Sequence, residues 1–357
     1  MPYQITNFII TGKLNKLNRN TILYTLLSIL LLSLFILDLA LGSVYIPFKQ
    51  VFRSLFYSGI ENQFVIIVND FRLPRAITAV FAGAALAVSG LQMQTFFRNP
   101  LAGPYILGIS SGASLGVAIL VMGFSSWFIS TGNIMLSSWS LVIAAWIGAG
   151  FLLFLIMIIS ARVKDIMTIL ILGILFAGAT SAIVNVLQYF SNASLLKAFV
   201  IWSFGSFSNV TSDQLTILIP SISIGLIIAL FSFKILNALL LGEDYAKSIG
   251  LPIKTTRYII FISTSILAGS VTAFCGPIGF IGIAAPHIAR LIFKSSDHST
   301  IIPASILTGS ILILISDILA QLPGLEQTLP INSVTAIIGI PIVIWLVIRN
   351  QKLVSVS

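Results

Sequence analysis

The chain has 357 residues, 57% of them hydrophobic and only 8% charged, with a mean hydropathy of +1.08. A soluble domain carries about 25% charged residues, so this composition excludes an ordinary water-soluble globule and points to a polytopic membrane protein. A net charge of +9 fits cationic loops on one side of a bilayer better than a nucleic-acid partner, and the single Cys275 excludes an internal disulfide or a cysteine-based metal site.

Residues 1–20, with Lys13, Lys16 and Arg19, read as a cytoplasmic N-terminal segment. The apolar run 21–41 that follows is too long for a signal-peptide core and reads as the first span. Further runs fall at 73–96, 105–124, 140–160, 166–190, 214–235, 256–274, 278–293, 301–320 and 331–348. Most reach the ~20 residues a helix needs to cross the hydrocarbon layer, and lipid leaves no alternative to internally bonded backbone. The expected fold class is therefore all-α, a polytopic membrane protein of about ten transmembrane helices. The eighth run is short and glycine-rich, which leaves nine or eight spans as fallbacks. One transmembrane domain, 21–349, would end in a cytoplasmic tail, 350–357.

With both termini inside, fourteen of the nineteen Lys and Arg residues fall on the cytoplasmic side. Lys49, Arg53, Arg72, Arg75 and Lys197 remain outside. The first outer loop holds Phe48, Val51, Phe52, Leu55 and Phe56 at the spacing of an amphipathic helix suited to the outer leaflet. Trp127 and Trp139 flank the second outer loop as interfacial aromatics. Arg72-Leu-Pro-Arg75 opens the second span and admits two readings, lipid-phosphate anchoring or reception of acidic side chains from an outer protein.

Ala82-Gly-Ala-Ala-Leu-Ala-Val-Ser-Gly90 and Ala268-Gly-Ser-Val-Thr-Ala-Phe-Cys-Gly276 share the pattern Ala-Gly-x-x-x-Ala-x-x-Gly in spans that run in opposite directions. That is the form of an inverted-topology repeat, although small-residue packing alone also produces such a match. Gly108, Gly112 and Gly116 recur at i,i+4 and let a neighbouring helix come close. Between the two similar halves lies a polar island, residues 237–257, carrying Glu243, Asp244, Lys247, Lys254 and Arg257. Gly242 and the Gly250/Pro252 pair bracket a helical turn or two, with Glu243 and Lys247 at i,i+4. A solvated loop and a handle moved by a soluble partner are the two readings of it.

Residues 275–290 hold Pro277, Pro286, Gly276, Gly279 and Gly282, and read as a broken helix beside a pathway. His287 there reads as a satisfied interfacial histidine. Asp38 and Asp317 are the carboxylates inside predicted spans, near the outer face, where the cost of a buried charge would be relieved. No Gly-x-x-x-x-Gly-Lys-[Ser/Thr] occurs, so the chain has no P-loop for ATP, and no catalytic cluster stands out. His287 and Cys275, the groups an intramembrane enzyme would use, have no visible partner.

Taken together, Arg72-Leu-Pro-Arg75, Arg98-Asn-Pro-Leu-Ala-Gly-Pro-Tyr-Ile-Leu-Gly-Ile-Ser-Ser-Gly-Ala-Ser-Leu-Gly116, Leu241-Gly-Glu-Asp-Tyr-Ala-Lys-Ser-Ile-Gly250 and Gly276-Pro-Ile-Gly-Phe-Ile-Gly-Ile-Ala-Ala-Pro-His-Ile-Ala-Arg290 resemble the permease subunits of ABC importers for ferric siderophores, haem and cobalamin. The similarity runs from about Pro47 to Ile348. It implies a non-enzymatic translocation subunit in the cytoplasmic membrane that binds no cofactor and no nucleic acid. Its partners would be two copies of an ABC ATPase carrying ATP and Mg, a second permease (identical or homologous), membrane lipids and an extracytoplasmic substrate-binding protein. The expected cargo is a ferric siderophore, with haem or cobalamin as alternatives and ion-coupled secondary transport as the competing class.

By position, the resemblance makes Gly242, Glu243, Asp244, Tyr245, Ala246, Lys247, Ser248 and Gly250 the contact to the ATPase. Arg53, Arg72 and Arg75 would meet the binding protein. Ile166, Met167, Thr168, Trp202, Pro277 and Gly279 would line or gate the path. Gln321 stands where some relatives carry a third outer arginine, and the gate is apolar apart from Thr168.

Overall fold

The computed structural model describes residues 2–42, 44–56, 63–124, 138–163, 165–321 and 328–354. The first half contains α1 (Pro2–Ala40), α2 (Phe48–Phe56), α3 (Gln63–Ile66), a π-helical stretch Ile67–Arg72, and α4 (Leu73–Phe96). A single 3-10 turn, Pro104–Leu107, then leads into α5 (Ile109–Ala118), whose end Ile119–Gly123 is π-helical, α6 (Ser138–Arg162), α7 (Ile166–Tyr189) and α8 (Ala193–Ser203). The second half runs through α9 (Ser212–Phe231), α10 (Phe233–Leu240), α11 (Glu243–Ser248), α12 (Ile253–Cys275), α13 (Ile281–Phe293), α14 (His298–Ala320) and α15 (Ile331–Val354). Each of the ten apolar runs lands on a helix. Among the described residues, seven stretches are long and apolar enough to cross a membrane, and Ile109–Gly123, Ala193–Ser203, Ile281–Phe293 and Ile331–Trp345 are shorter apolar helices.

The helix α4 forms the hub. Every residue from Ala82 to Phe96 is buried, which its small side chains permit, because neighbouring backbones can approach from all sides. At Gly83 a Cβ would run into the carbonyl oxygen of Gly309 on α14, and at Gly90 into that of Gly282 on α13. Polar side chains join the same junction. Gln92 donates to Ser263 at 3.0 Å and accepts from Thr264 at 3.0 Å, both on α12, while Ser263 donates to the carbonyl of Gly225 on α9. Away from water these bonds fix register as well as proximity.

The packing order reveals the repeat. Within the first half α5 lies against α6, and within the second α13 lies against α14. Between halves α4 packs on α14, and α12 packs on α6, so the leading helix of each half crosses to the other. The two short helices, α5 and α13, occupy matching places, each following an irregular stretch. At 13 residues, α13 spans about 20 Å, less than the ~30 Å of hydrocarbon.

Protein covers the break before α13, as an interrupted helix in a bilayer requires. The Ile278 N–H donates to the Tyr105 hydroxyl at 3.3 Å, and the Gly279 N–H to Asn332 Oδ1 at 2.9 Å. Gly276, with φ +76°, turns the chain against the carbonyl of Trp202. His287 is satisfied as expected, its Nε2 lying 2.8 Å from the Pro100 carbonyl.

Two expectations change. Asp38 and Asp317 are not relieved by an aqueous outer face; they are 3% and 0% exposed within the protein, and Asp317 is neutralised by an arginine instead. In α2 the apolar stripe divides, with Val51 packing into a small core beside Leu39, Ile46 and Val68 while Phe48, Phe52 and Phe56 stay exposed. Trp139 sits edge-on to Phe274, with ring centroids 6.1 Å apart, and Trp127 lies outside the described residues.

Candidate coupling site

The polar island folds into one compact device. After α10, Gly242 adopts φ +109°, a value a side chain would resist, and so lets α11 begin at once. Glu243 and Asp244 occupy its first turn and Lys247 its last, the arrangement that complements the helix dipole. At the other end the Leu251 N–H donates to the Ala246 carbonyl at 3.0 Å and the Gly250 N–H to the Lys247 carbonyl at 2.9 Å. With Gly250 at φ +88°, this is a Schellman ending. Ala246 is fully buried and seats the turn, whereas Leu241, Tyr245 and Ile249 are exposed around the charged residues.

The expected Glu243–Lys247 pairing does not form. Lys247 pairs with Asp244 at 3.2 Å, in full exposure, where such a bridge contributes little. Glu243 turns inward to Arg257 at the base of α12. The Arg257 Nη2 donates to Oε1 at 3.0 Å and to Oε2 at 3.1 Å, and Nε donates to Oε1 at 3.2 Å. The remaining Nη1 donates to the Val163 carbonyl at 2.9 Å, in the connection between α6 and α7. A buried fork of this kind holds geometry that one ammonium could not.

Two residues beyond Val163, Asp165 caps α7. Its carboxylate accepts from the Met167 N–H at 3.3 Å, the Thr168 N–H at 2.9 Å and the Thr168 hydroxyl at 2.8 Å. These bonds, the Thr168 hydroxyl foremost, hold the Asp165 carboxyl below the usual carboxylate range. Phe97, Arg98, Asp165, Ile166, Met167, Glu243, Asp244 and Lys247 line an open hollow of about 640 Å³. The start of α7, the end of α4 and α11 thus meet around one polar hollow, which we call the coupling face.

The expected gate residues do not converge. Ile166 and Met167 line this hollow, with Thr168 next to them in the first turn of α7, while Trp202, Pro277 and Gly279 gather around the α12–α13 break.

Nor are the outer arginines a matched pair of free cations. Arg72 Nη1 donates to the carbonyls of Leu39 at 2.9 Å and Ala40 at 3.0 Å, and Nη2 bonds Val44, because the end of α1 leaves carbonyls that need a donor. Arg75 is spent on Asp317 at 2.7 Å and on the Ser208 hydroxyl at 2.6 Å. Gln321 adds a bond of 2.9 Å to the same carboxylate. Arg53, on α2, is exposed.

Two packed helical halves, each with one short helix, together with a clamped polar knob on one face, suit a transport permease. The chain belongs to the FecCD transport family, whose model matches residues 29–349. It is accordingly an ABC importer permease and a multi-pass membrane protein. It is 37% identical to a putative ABC transporter permease of Methanocaldococcus jannaschii, over 92% of this chain and 99% of that one. It is 34% identical to the vitamin B12 import system permease BtuC of Klebsiella pneumoniae, over 91% of this chain and 93% of the relative. Among solved structures, an inward-facing putative metal-chelate type ABC transporter matches with a TM-score of 0.79 and 27% identity, over 92% of this chain and 99% of that one.

Proposed function

We propose that the chain is the translocation subunit of an importer for an iron chelate, a ferric siderophore, working by alternating access and driven by ATP hydrolysed in another polypeptide. The coupling face is then cytoplasmic, with both termini on the cytoplasmic side of the membrane. The observation that carries the reading is α11: a rigid turn, seated by Ala246 and clamped by Arg257, that offers Leu241, Tyr245 and Ile249 as an apolar rim around exposed charges. Such a mixture of apolar anchors and a polar rim suits a protein partner, here one of two ATPase copies.

The exposed side of α7, with Ile171, Ile174, Leu175, Ile183 and Val186, suits a second permease, identical or homologous, with the pathway between the copies. A substrate-binding protein would dock on the opposite face. With Arg72 and Arg75 engaged internally, Arg53 is the outer arginine left to meet its acidic side chains. ATP binding shifts the two arrangements only through its differential affinity for them, so the knob must connect to the helices that move.

The kinship with a vitamin B12 permease supports a second reading of the cargo, cobalamin in place of a siderophore. Proteoliposomes holding the permease, its ATPase and the binding protein distinguish these. Labelled ferric siderophore, haem and cobalamin are offered in turn, with ATP inside and then with an uncoupler added. The proposal predicts ATP-dependent, uncoupler-resistant accumulation of the siderophore. Uptake without the ATPase that collapses with the uncoupler would make the protein a secondary transporter.

A further inference from the structure

One side chain touches both the knob and the start of the gate helix. The Arg257 guanidinium spends its Nε and Nη2 on the Glu243 carboxylate of α11 and its Nη1 on the Val163 carbonyl, two residues before the cap of α7. The side chains of the pair are 7% and 14% exposed, so neither water nor salt screens them well. From Val163 the path to Ile166 is covalent and short, and Asp165 fixes the direction in which α7 leaves. Resting on the reading of α11 as the ATPase contact, we infer that Arg257 is the positioning residue that makes α11 and the first turn of α7 move as one body. A push on the knob is delivered through Arg257 to the end of the helix that opens and closes the path.

The planar fork explains why arginine stands here. Lysine keeps the charge and the reach but offers one compact ammonium, so it cannot hold a carboxylate bidentately and a carbonyl at the same time. A residue that merely stabilised the fold would lower the amount of assembled transporter. A positioning residue lowers the amount of substrate moved per ATP in the transporter that does assemble.

The test uses the complete transporter with Arg257→Lys and, separately, Arg257→Gln, each compared with wild type for assembly, ATP hydrolysis and substrate carried per ATP. Spin labels at Ser248→Cys and Ile171→Cys, both exposed, report the distance between α11 and α7 with and without nucleotide. Expected are normal assembly, continued hydrolysis and a roughly tenfold fall in substrate carried per ATP. The label distance should be narrow and nucleotide-independent in wild type, and broad and nucleotide-dependent in the variants. Unchanged substrate per ATP in Arg257→Lys, or loss of assembly in both variants, overturns the inference. The underlying reading has its own control: Ile249→Arg should abolish ATPase association, and intact association there would remove the reading itself.

Discussion

Arg75 and Asp317, 242 positions apart in the chain, form a forked ion pair with a shortest distance of 2.7 Å and an acid that is fully buried. The pair pins the head of α4 to the tail of α14 on the face opposite the coupling site. Removing one member leaves a charge stranded, so Asp317→Ala should cost about 3–5 kcal/mol, read as a lower thermal midpoint in detergent. The paired apolar replacement, Arg75→Met with Asp317→Leu, should recover most of that loss. Equal instability of the single and double variants would contradict the account.

A second prediction concerns the contact of Gly83 with Gly309. No space exists for a side chain there, and Gly83→Val should cost about 1–3 kcal/mol by pushing α4 from α14. Gly150, on α6, meets nothing within 4 Å of a built Cβ. Gly150→Ala should therefore stay within about 0.5 kcal/mol of wild type in the same unfolding measurement.

The cap of α7 makes a pH prediction. Because the Asp165 carboxyl is held below its usual range, its contribution is complete above the ordinary value of about 4 and is lost as pH falls through the lower folded value. Hydrogen exchange at the Met167 and Thr168 amides, corrected for intrinsic rates, should quicken on acidification below that point. Asp165→Ala should show the quickened exchange at every pH. Protection that ignores both changes would remove the cap from the account.

On α2, Phe48, Phe52 and Phe56 line one exposed side. Placed at the bilayer surface, a tryptophan at position 52 (Phe52→Trp) should be quenched by brominated lipid, with stability changed by less than about 0.5 kcal/mol. An unquenched tryptophan would place this helix away from lipid.

The ten apolar segments, the pairing of two helical halves and the knob were legible in the sequence because each rests on a local signal: apolar run length, glycine spacing, or a charged island between long hydrophobic stretches. What stayed hidden depends on distance. Nothing near Arg75 announces Asp317, and nothing near Glu243 distinguishes Arg257 from the other cations that reading counted as loop charge. The docking role given to Arg72 failed to foresee that the end of α1 would need its guanidinium for stranded carbonyls. The gate expectation grouped residues by role, and the structure divides them between the first turn of α7 and the α12–α13 break. Asp165 did carry a local signal, an acid three residues before Thr168 at the head of an apolar run, of the kind that marks a helix cap.

The central claim is that force from an ATPase enters through α11. Photo-crosslinking from a benzophenone placed at position 249, exposed at the rim of that turn, tests it most directly in native membranes. The account predicts capture of the ATPase subunit, with labelling from the cytoplasmic side alone. Capture of the extracytoplasmic binding protein, or labelling from outside the cell, would contradict it.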